Sequence, residues 1–257
     1  MIEIENLSKS YGTVRAVIDL NLVVPRGELF CFLGPNGAGK TTTIKMLTGL
    51  VHPDAGSVRL CGFDLARDPL AARQLLGYIP DLPFLYERLT PPEFLEFVGD
   101  LYGVDRQRVN QTCDEELTRF GLADHRRALV GDLSHGMRQR LIYVATFLHD
   151  PQILCIDEPL VGLDPYTIRM IKDLLKAKAR SGVTVFLTTH ILAVAEEIAD
   201  RVGILSKGRL VALGPIDDLK KRHDLHGDLE SIFLTLTADD YGLPTGAGKE
   251  ESPPCIL

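Results

Sequence analysis

The sequence predicts an α/β protein with a parallel sheet, and three observations support this. Short apolar runs alternate with helical patterns after residue 150, which is typical of strand-helix-strand units. The same alternation begins around residues 29–50 but is interrupted at residues 91–149, where the pattern is helical throughout. Residues 1–24 have the alternating pattern of antiparallel strands. We therefore expect a parallel-sheet core, an N-terminal antiparallel β region and an inserted helical subdomain.

The individual elements follow from local patterns. Ile2 and Ile4 alternate with glutamates, and residues 16–24 form a second β-like run between two glycine-containing turns. Later strands and helices are assigned from apolar periodicity. The expected strands are 29–33, 57–61, 77–80, 153–156, 183–188, 202–205 and 209–213. The expected helices are 41–50, 91–102, 106–120, 135–149, 166–180 and 191–199.

Composition excludes several functional classes. The chain has 257 residues, of which 45% are hydrophobic and 25% charged, as in an ordinary globular protein. Its formal charge of −7 disfavours nonspecific nucleic-acid binding, so no nucleic-acid partner is expected. None of the five cysteines lies in a CxxC pair, which makes a zinc site improbable. No apolar stretch is long enough to span a bilayer and no signal-peptide pattern is present, so we expect a cytoplasmic chain.

Residues 34–41, Gly-Pro-Asn-Gly-Ala-Gly-Lys-Thr, form a complete phosphate-binding loop. An apolar strand precedes the loop and a helical pattern follows it, which is the context that this motif requires. The glycines allow backbone N–H groups to turn inward around phosphates, and the helix N-terminus adds partial positive charge. Lys40 can reach the β- and γ-phosphates, and the Thr41 hydroxyl can bind Mg²⁺. The fold class is therefore that of a P-loop NTPase.

A second group of polar residues follows the apolar run at residues 153–156. Asp157 and Glu158 end this strand, and ligands in parallel sheets bind at the carboxyl ends of strands. Asp157 can orient the Mg²⁺ shell, and Glu158 can polarise a water for attack on the γ-phosphate. A solvated acidic turn is the alternative, and the upstream phosphate loop disfavours it.

Ser134 precedes the third insert helix and is expected to be its N-cap. A capped helix N-terminus that carries a glycine, here Gly136, can also bind an anion. His190 lies between a strand and a helix, and Asp164 before Pro165 is a favourable N-cap. Taken alone, a histidine in this position usually has a structural role, and capping by Ser134 and Asp164 is compatible with a function.

Together, these motifs resemble those of an ATP-binding-cassette (ABC) ATPase, the nucleotide-binding subunit of an ABC transporter. The resemblance covers roughly residues 1–236, and its motifs occur in the family's order and spacing. It is strongest to stand-alone ATPase subunits of exporters, whose membrane half is a separate polypeptide. The matching segments are Walker A (34–41), the signature (133–139), Walker B with its catalytic glutamate (153–158), the D-loop (162–164) and the switch histidine (His190).

The resemblance implies a role for each matching residue. Catalysis is assigned to Glu158, His190 and Lys40, Mg²⁺ binding to Thr41, Asp157 and Asp81, and the dimer interface to Ser134, Gly136 and Asp164. Tyr11 is expected to stack on adenine. The residues expected to bind ATP are Tyr11, Gly34, Pro35, Asn36, Gly37, Ala38, Gly39, Lys40, Thr41, Thr42, Ser134 and Gly136.

The sequence departs from the family pattern in two motifs, the signature and the Q-loop, and both departures bear on how ATP hydrolysis is coupled to transport. The signature commonly reads Leu-Ser-Gly-Gly-Gln, and here His135 and Met137 replace its third and fifth residues. Ser134 and Gly136 remain, so phosphate contact is retained, but the side-chain donor is lost. The Q-loop, after residues 77–80, has Asp81 in place of glutamine. A carboxylate there can still approach Mg²⁺ or water.

The implied protein is one nucleotide-binding domain at residues 1–236, with the ATPase core at 1–90 and 150–236 and the helical insert at 91–149. Residues 237–257 are expected to be a disordered tail. The implied function is ATP hydrolysis that powers transport, with export favoured, through a separate transmembrane permease. Two such ATPases, as a homodimer or a heterodimer, would sandwich ATP on the cytoplasmic face of the membrane. The alternative is a non-membrane ABC ATPase of translation or DNA maintenance.

The segment at residues 81–89 is unusually apolar for a loop. Such patches often mark binding sites, so we expect this segment and the insert to carry the surface that docks the permease. Phe84 and Leu85 are the residues chosen for this role. The alternative is that these side chains fold back onto the insert helices.

Overall fold

The computed structural model describes residues 1–82, 84–160, 163–222 and 228–238. The strands are β1 Ile2–Tyr11, β2 Val14–Val24, β3 Leu29–Leu33, β4 Ala55–Leu60, β5 Phe63–Asp64, β6 Leu76–Ile79, β7 Ile153–Asp157, β8 Thr184–Thr189, β9 Arg201–Ser206 and β10 Arg209–Gly214. The helices are α1 Lys40–Leu47, α2 Pro69–Gln74, α3 Pro91–Tyr102, α4 Arg106–Arg119, α5 His135–Phe147, α6 Pro165–Arg180, α7 Leu192–Ile198, α8 Ile216–Arg222 and α9 Leu229–Thr237.

Two sheets form the core, and they confirm the predicted fold class. The larger sheet has the order β10-β9-β3-β8-β7-β6, in which all neighbours are parallel except β10 and β9. The smaller sheet has the order β2-β1-β4-β5 and is antiparallel. The central strands β3, β7 and β8 are buried along their whole length, as a sheet covered on both faces requires. Their carboxyl ends therefore meet at one edge, next to the phosphate loop.

The helical insert consists of α3, α4 and α5. Helix α3 begins with a capping box, in which the side chains of Thr90 and Glu93 each accept a hydrogen bond from the other residue's backbone N–H. Proline occupies the first turn of the helix. It ends at Gly103, whose φ of 67° gives the left-handed C-cap that favours glycine. Helix α5 brings buried side chains into the core and contacts both α3 and β6. The insert is thus attached to the sheet through α5.

Several elements differ from the sequence-based prediction. Helix α1 ends at Leu47 rather than residue 50, because Gly49 adopts a φ of 69° and Thr48 bonds back to Ile44. The short helix α2 and the helices α8 and α9 were not predicted. Thr237, predicted to begin the disordered tail, is instead the last residue of α9 and is fully buried. The rest of that tail, beyond residue 238, lies outside the described residues.

In the part of the chain that the structure describes, no helix has the length and apolar character that crossing a bilayer needs.

Candidate nucleotide-binding site

The phosphate loop joins β3 to α1, as the sequence predicts. Gly39 has a φ of 110°, and a Cβ there would lie 2.2 Å from the carbonyl oxygen of Ala16. A Cβ on Gly34 would lie 2.5 Å from the carbonyl oxygen of Leu205. The loop is thus pressed between β2 and β9, and only glycine permits this approach. Its tip is exposed at Asn36 and Gly37 and is therefore accessible to a ligand.

Lys40 is the first residue of α1, and its side chain lies inside the loop. It is 6% exposed, and its Nζ donates to the carbonyl oxygens of Gly34 at 2.7 Å and Pro35 at 3.2 Å. The same Nζ lies 3.6 Å from Glu158 Oε1. A buried ammonium requires such partners, because an unpaired buried charge is costly. The positive charge is therefore held where phosphates would sit against the loop.

Asp157, at the end of β7, faces α1 across the crevice. It is 2% exposed, and its Oδ1 accepts hydrogen bonds from Thr41 Oγ1 at 3.4 Å and from Thr188 Oγ1 at 2.5 Å. The structure thus brings together the hydroxyl and the carboxylate that the sequence assigns to Mg²⁺. Among the described residues there is no cluster of three His, Cys, Asp or Glu side chains that could hold a metal. Mg²⁺ does not need one, because it keeps waters and binds substrate phosphates with one or two protein groups.

Glu158 follows Asp157 with a left-handed backbone, at a φ of 48°. Its Oε2 lies 2.9 Å from His190 Nδ1 and accepts a weaker bond from the His190 backbone N–H at 3.4 Å. Because Oε1 lies near Lys40, the carboxylate bridges the phosphate-loop lysine and His190. All three residues predicted to be catalytic therefore belong to one cluster.

Asp81 lies two residues after β6 and is exposed. Partial burial raises the pKa of its carboxyl group, and the negative charges of Asp157 and Glu158 raise it further. His135 and His190 act in the opposite direction. The Asp81 carboxyl group is thus close enough to interact electrostatically with Asp157 and Glu158, which supports its assignment to this site.

Tyr11 ends β1 and is half-exposed, with Lys9 Nζ 5.7 Å from its ring centre. Its hairpin reaches the phosphate loop through Ala16, whose carbonyl oxygen abuts Gly39. The remaining predicted ATP-binding residues share the loop or the start of α1 with Lys40. They are Pro35, Asn36, Gly37, Ala38, Thr41 and Thr42.

The signature residues lie at an exposed helix N-terminus, as predicted. Ser134 caps α5 and its Oγ accepts from the Met137 N–H at 3.3 Å, while His135 beside it is also exposed.

Asp164 caps α6 by accepting from the Thr167 N–H at 3.0 Å and the Thr167 hydroxyl at 2.6 Å. These hydrogen bonds lower the pKa of Asp164. Both caps are structural, and both remain accessible to a second chain. Gly162 of the predicted D-loop lies outside the described residues.

Comparison with known proteins identifies the family. The model of the family described as ABC transporter matches residues 17–161. The linearmycin resistance ATP-binding protein LnrL of Bacillus subtilis (strain 168) is 36% identical over 228 residues, which cover 89% of this chain and 73% of that protein.

This chain belongs to the ABC transporter family.

Other relatives of this ABC protein agree. The daunorubicin resistance ATP-binding protein DrrA3 of Streptomyces coeruleorubidus is 39% identical over 233 residues, covering 91% of this chain and 73% of that protein. A solved ATP-binding subunit of an ABC transporter has a TM-score of 0.87 and 35% identity, covering 92% of this chain and 99% of the other. The dimeric bacterial ABC transporter cassette MJ0796 has a TM-score of 0.77 and 25% identity, covering 88% of this chain and 100% of the other. This ABC protein is accordingly an ATPase whose hydrolysis is coupled to transport, as in its family.

Sequence reasoning about this ABC protein missed one residue that contacts the site. Thr188 lies in β8, directly opposite Asp157 in the sheet register. Its hydroxyl bonds to Asp157 Oδ1, and it accepts from the Glu158 N–H. The sequence signal is weak, because Thr188 is one of three threonines in its strand and stands two positions before His190.

Proposed function

We propose that this chain binds Mg-ATP and hydrolyses it to power export through a separate transmembrane permease. The observation that carries the proposal is the Glu158 carboxylate, held between Lys40 Nζ at 3.6 Å and His190 Nδ1 at 2.9 Å. The negative phosphates of ATP compete for Lys40, and Glu158 is then available as the base for an attacking water. Export is supported by relatives named for resistance to linearmycin and daunorubicin, which does not favour an ATPase of translation or DNA maintenance.

Mg²⁺ is assigned to Thr41 and Asp157, with Asp81 nearby. The donors are a hydroxyl and a carboxylate that already share a hydrogen bond at the edge of the loop, and these are hard oxygen ligands of the kind Mg²⁺ prefers. When bound, the ion neutralises charge that develops on the phosphates. The chain's own contribution is to hold Asp157 buried and oriented.

The active form is proposed to be a dimer of two cassettes, either identical or related, that enclose ATP between them. Ser134, Gly136 and Asp164 support this, because they lie at helix N-termini and are exposed or half-exposed. The N-terminus of α5 would then face the phosphates on the other cassette, where its partial positive charge favours an anion.

The permease is proposed to dock beside α3 and α5, holding this chain at the cytoplasmic face of the membrane. Leu82 and Phe84 are 81% and 83% exposed, which is unusual for large apolar side chains. They line a groove of about 690 Å³ together with His135 and Arg138 of α5. An amphipathic helix of the permease would cover this apolar surface.

The surface differs from the sequence-based prediction in one residue. Leu85 is only 6% exposed and belongs to the core beside α3 and α5. Tyr86, next to it, makes edge-to-face contact with Phe97 of α3 at 4.9 Å between ring centres. The segment therefore both folds back, through Leu85, and presents a free apolar surface, through Leu82 and Phe84.

We expect the double substitution Leu82→Asp and Phe84→Asp to release the chain from membranes. Two charges on a surface that must be desolvated oppose docking, while neither side chain contributes to the core. The measurement is the fraction of the chain that sediments with membranes of cells that also produce the permease, together with turnover of the purified soluble protein. Turnover and melting temperature should stay close to wild type.

The matched control is the double substitution Leu70→Asp and Leu234→Asp, which places two charges on exposed leucines of α2 and α9. This variant should remain with the membranes. Retention of the Leu82/Phe84 double variant on membranes at the wild-type level would refute the docking surface.

A further inference from the structure

Thr188 connects the two carboxylate-bearing residues at the end of β7. It is fully buried in β8, and its Oγ1 lies 2.5 Å from Asp157 Oδ1 and 3.3 Å from the Glu158 backbone nitrogen. Its carbonyl oxygen also accepts from the Glu158 N–H, at 3.2 Å. One residue of a neighbouring strand therefore contacts both Asp157 and Glu158.

The direction of each hydrogen bond follows from the chemistry of the groups. A hydroxyl has one proton to donate, and an ionised carboxylate can only accept, so the Thr188 proton points to Asp157. The Glu158 N–H is a donor, so a lone pair of the same hydroxyl oxygen receives it. The pattern leaves Thr188 with no freedom to rotate its hydroxyl without losing a bond to a charged group.

The backbone of Glu158 needs external support. Its φ of 48° lies in the left-handed region, which is strained for a residue other than glycine. Such a conformation persists only where surrounding contacts hold it. The two acceptors of Thr188 hold the Glu158 N–H, and the kink directs the Glu158 side chain to Lys40 and His190.

We propose that Thr188 is a positioning residue of the ATPase site. Its hydroxyl orients Asp157 for Mg²⁺, and the same hydroxyl holds the kink that points the Glu158 carboxylate into the site. Thr188 itself does not contact the reacting atoms. The proposal rests on the assignment of Mg²⁺ to Asp157 made above, and it adds a residue that acts on both carboxylates.

The test compares Thr188→Val, which keeps the shape and removes the hydroxyl, with Thr188→Ser, which keeps the hydroxyl. A hydrogen bond to a charged group accounts for about a 10-fold effect or more. We expect Thr188→Val to lower kcat about 10-fold and to raise the Mg²⁺ concentration for half-maximal nucleotide binding by a similar factor. Binding of a fluorescent ATP analogue in EDTA should change less than about twofold, because the hydroxyl bonds to Asp157 and Glu158 and not to the phosphate loop. Thr188→Ser should stay near wild type in all three measurements.

The matched control is Thr146→Val, a buried threonine of α5 whose hydroxyl donates to the Ile142 carbonyl oxygen of its own helix. It should leave kcat and the Mg²⁺ dependence unchanged. A wild-type Mg²⁺ dependence in folded Thr188→Val, or a Thr188→Ser variant as impaired as Thr188→Val, would overturn the proposal. If Thr188→Val does not fold, Thr188→Ala takes its place in the same measurements. If nucleotide binding by the wild-type protein does not depend on the Mg²⁺ concentration, the assignment of Mg²⁺ to Asp157 is itself wrong.

Discussion

Replacing Lys40 with alanine is expected to lower ATP turnover by about 10²–10³-fold, the usual cost of removing a group that stabilises developing negative charge. Lys40 brings the positive charge inside the phosphate loop, where it is 6% exposed and 2.7 Å from the carbonyl oxygen of Gly34. Without it, the phosphates lose this charge and the Glu158 carboxylate loses an ion partner. Turnover and nucleotide affinity of the purified variant are the measurements, and both should fall.

The control for this variant is Lys45→Ala. Lys45 lies in the last turn of the same helix α1 and is exposed, so its loss should leave turnover within about twofold of wild type. A melting temperature for each variant separates loss of chemistry from loss of fold. Turnover in folded Lys40→Ala equal to that of Lys45→Ala would mean that this loop does not bind the reacting nucleotide.

The sequence predicts this site well because its chemistry requires particular residues at particular positions. The glycines of the phosphate loop are needed where Gly34 and Gly39 approach the backbone of other strands, so the motif is visible without a structure. The end of β7 is predicted to within one residue: the apolar run ends at residue 156, and the observed strand also includes Asp157, the first of two adjacent carboxylates. Helix α3 was predicted at its observed bounds because prolines begin it and a glycine ends it.

What the sequence could not predict depends on contacts between distant segments. Thr188 is one of three threonines in a buried strand, and the register of β7 against β8 places it opposite Asp157. Leu85 and Phe84 are adjacent and equally apolar, yet one is 6% and the other 83% exposed, which is decided by the packing of α3 and α5. Helix α9 was missed because its strongly apolar sequence is short, and its stability depends on burial of Ile232 and Phe233 against the core.

Replacing Glu158 with glutamine is expected to lower turnover by about 10²–10⁴-fold while ATP binding is retained. Glutamine keeps the shape of the side chain but is not a base, so it cannot take a proton from the attacking water. The positive charge of Lys40, which Glu158 shares at 3.6 Å, becomes fully available to the phosphates. ATP should therefore remain bound, and cassettes that enclose ATP between two chains should stay closed.

Closure of two cassettes around bound ATP can be measured by sedimentation with and without Mg-ATP. If the chain pairs with itself, Glu158→Gln should change from monomer to dimer on adding Mg-ATP, whereas wild type should not accumulate as a dimer because it hydrolyses the nucleotide. If the active pair is heterodimeric, the shift should require the second cassette. Glu197→Gln is the control, since Glu197 lies on α7 and pairs with Lys172 of α6 rather than with a residue of the site. If Glu158→Gln hydrolyses ATP at the wild-type rate, Glu158 is not the base. If its turnover falls but Mg-ATP produces no dimer, either of this chain alone or with a second cassette, the proposal that two cassettes close around ATP is wrong.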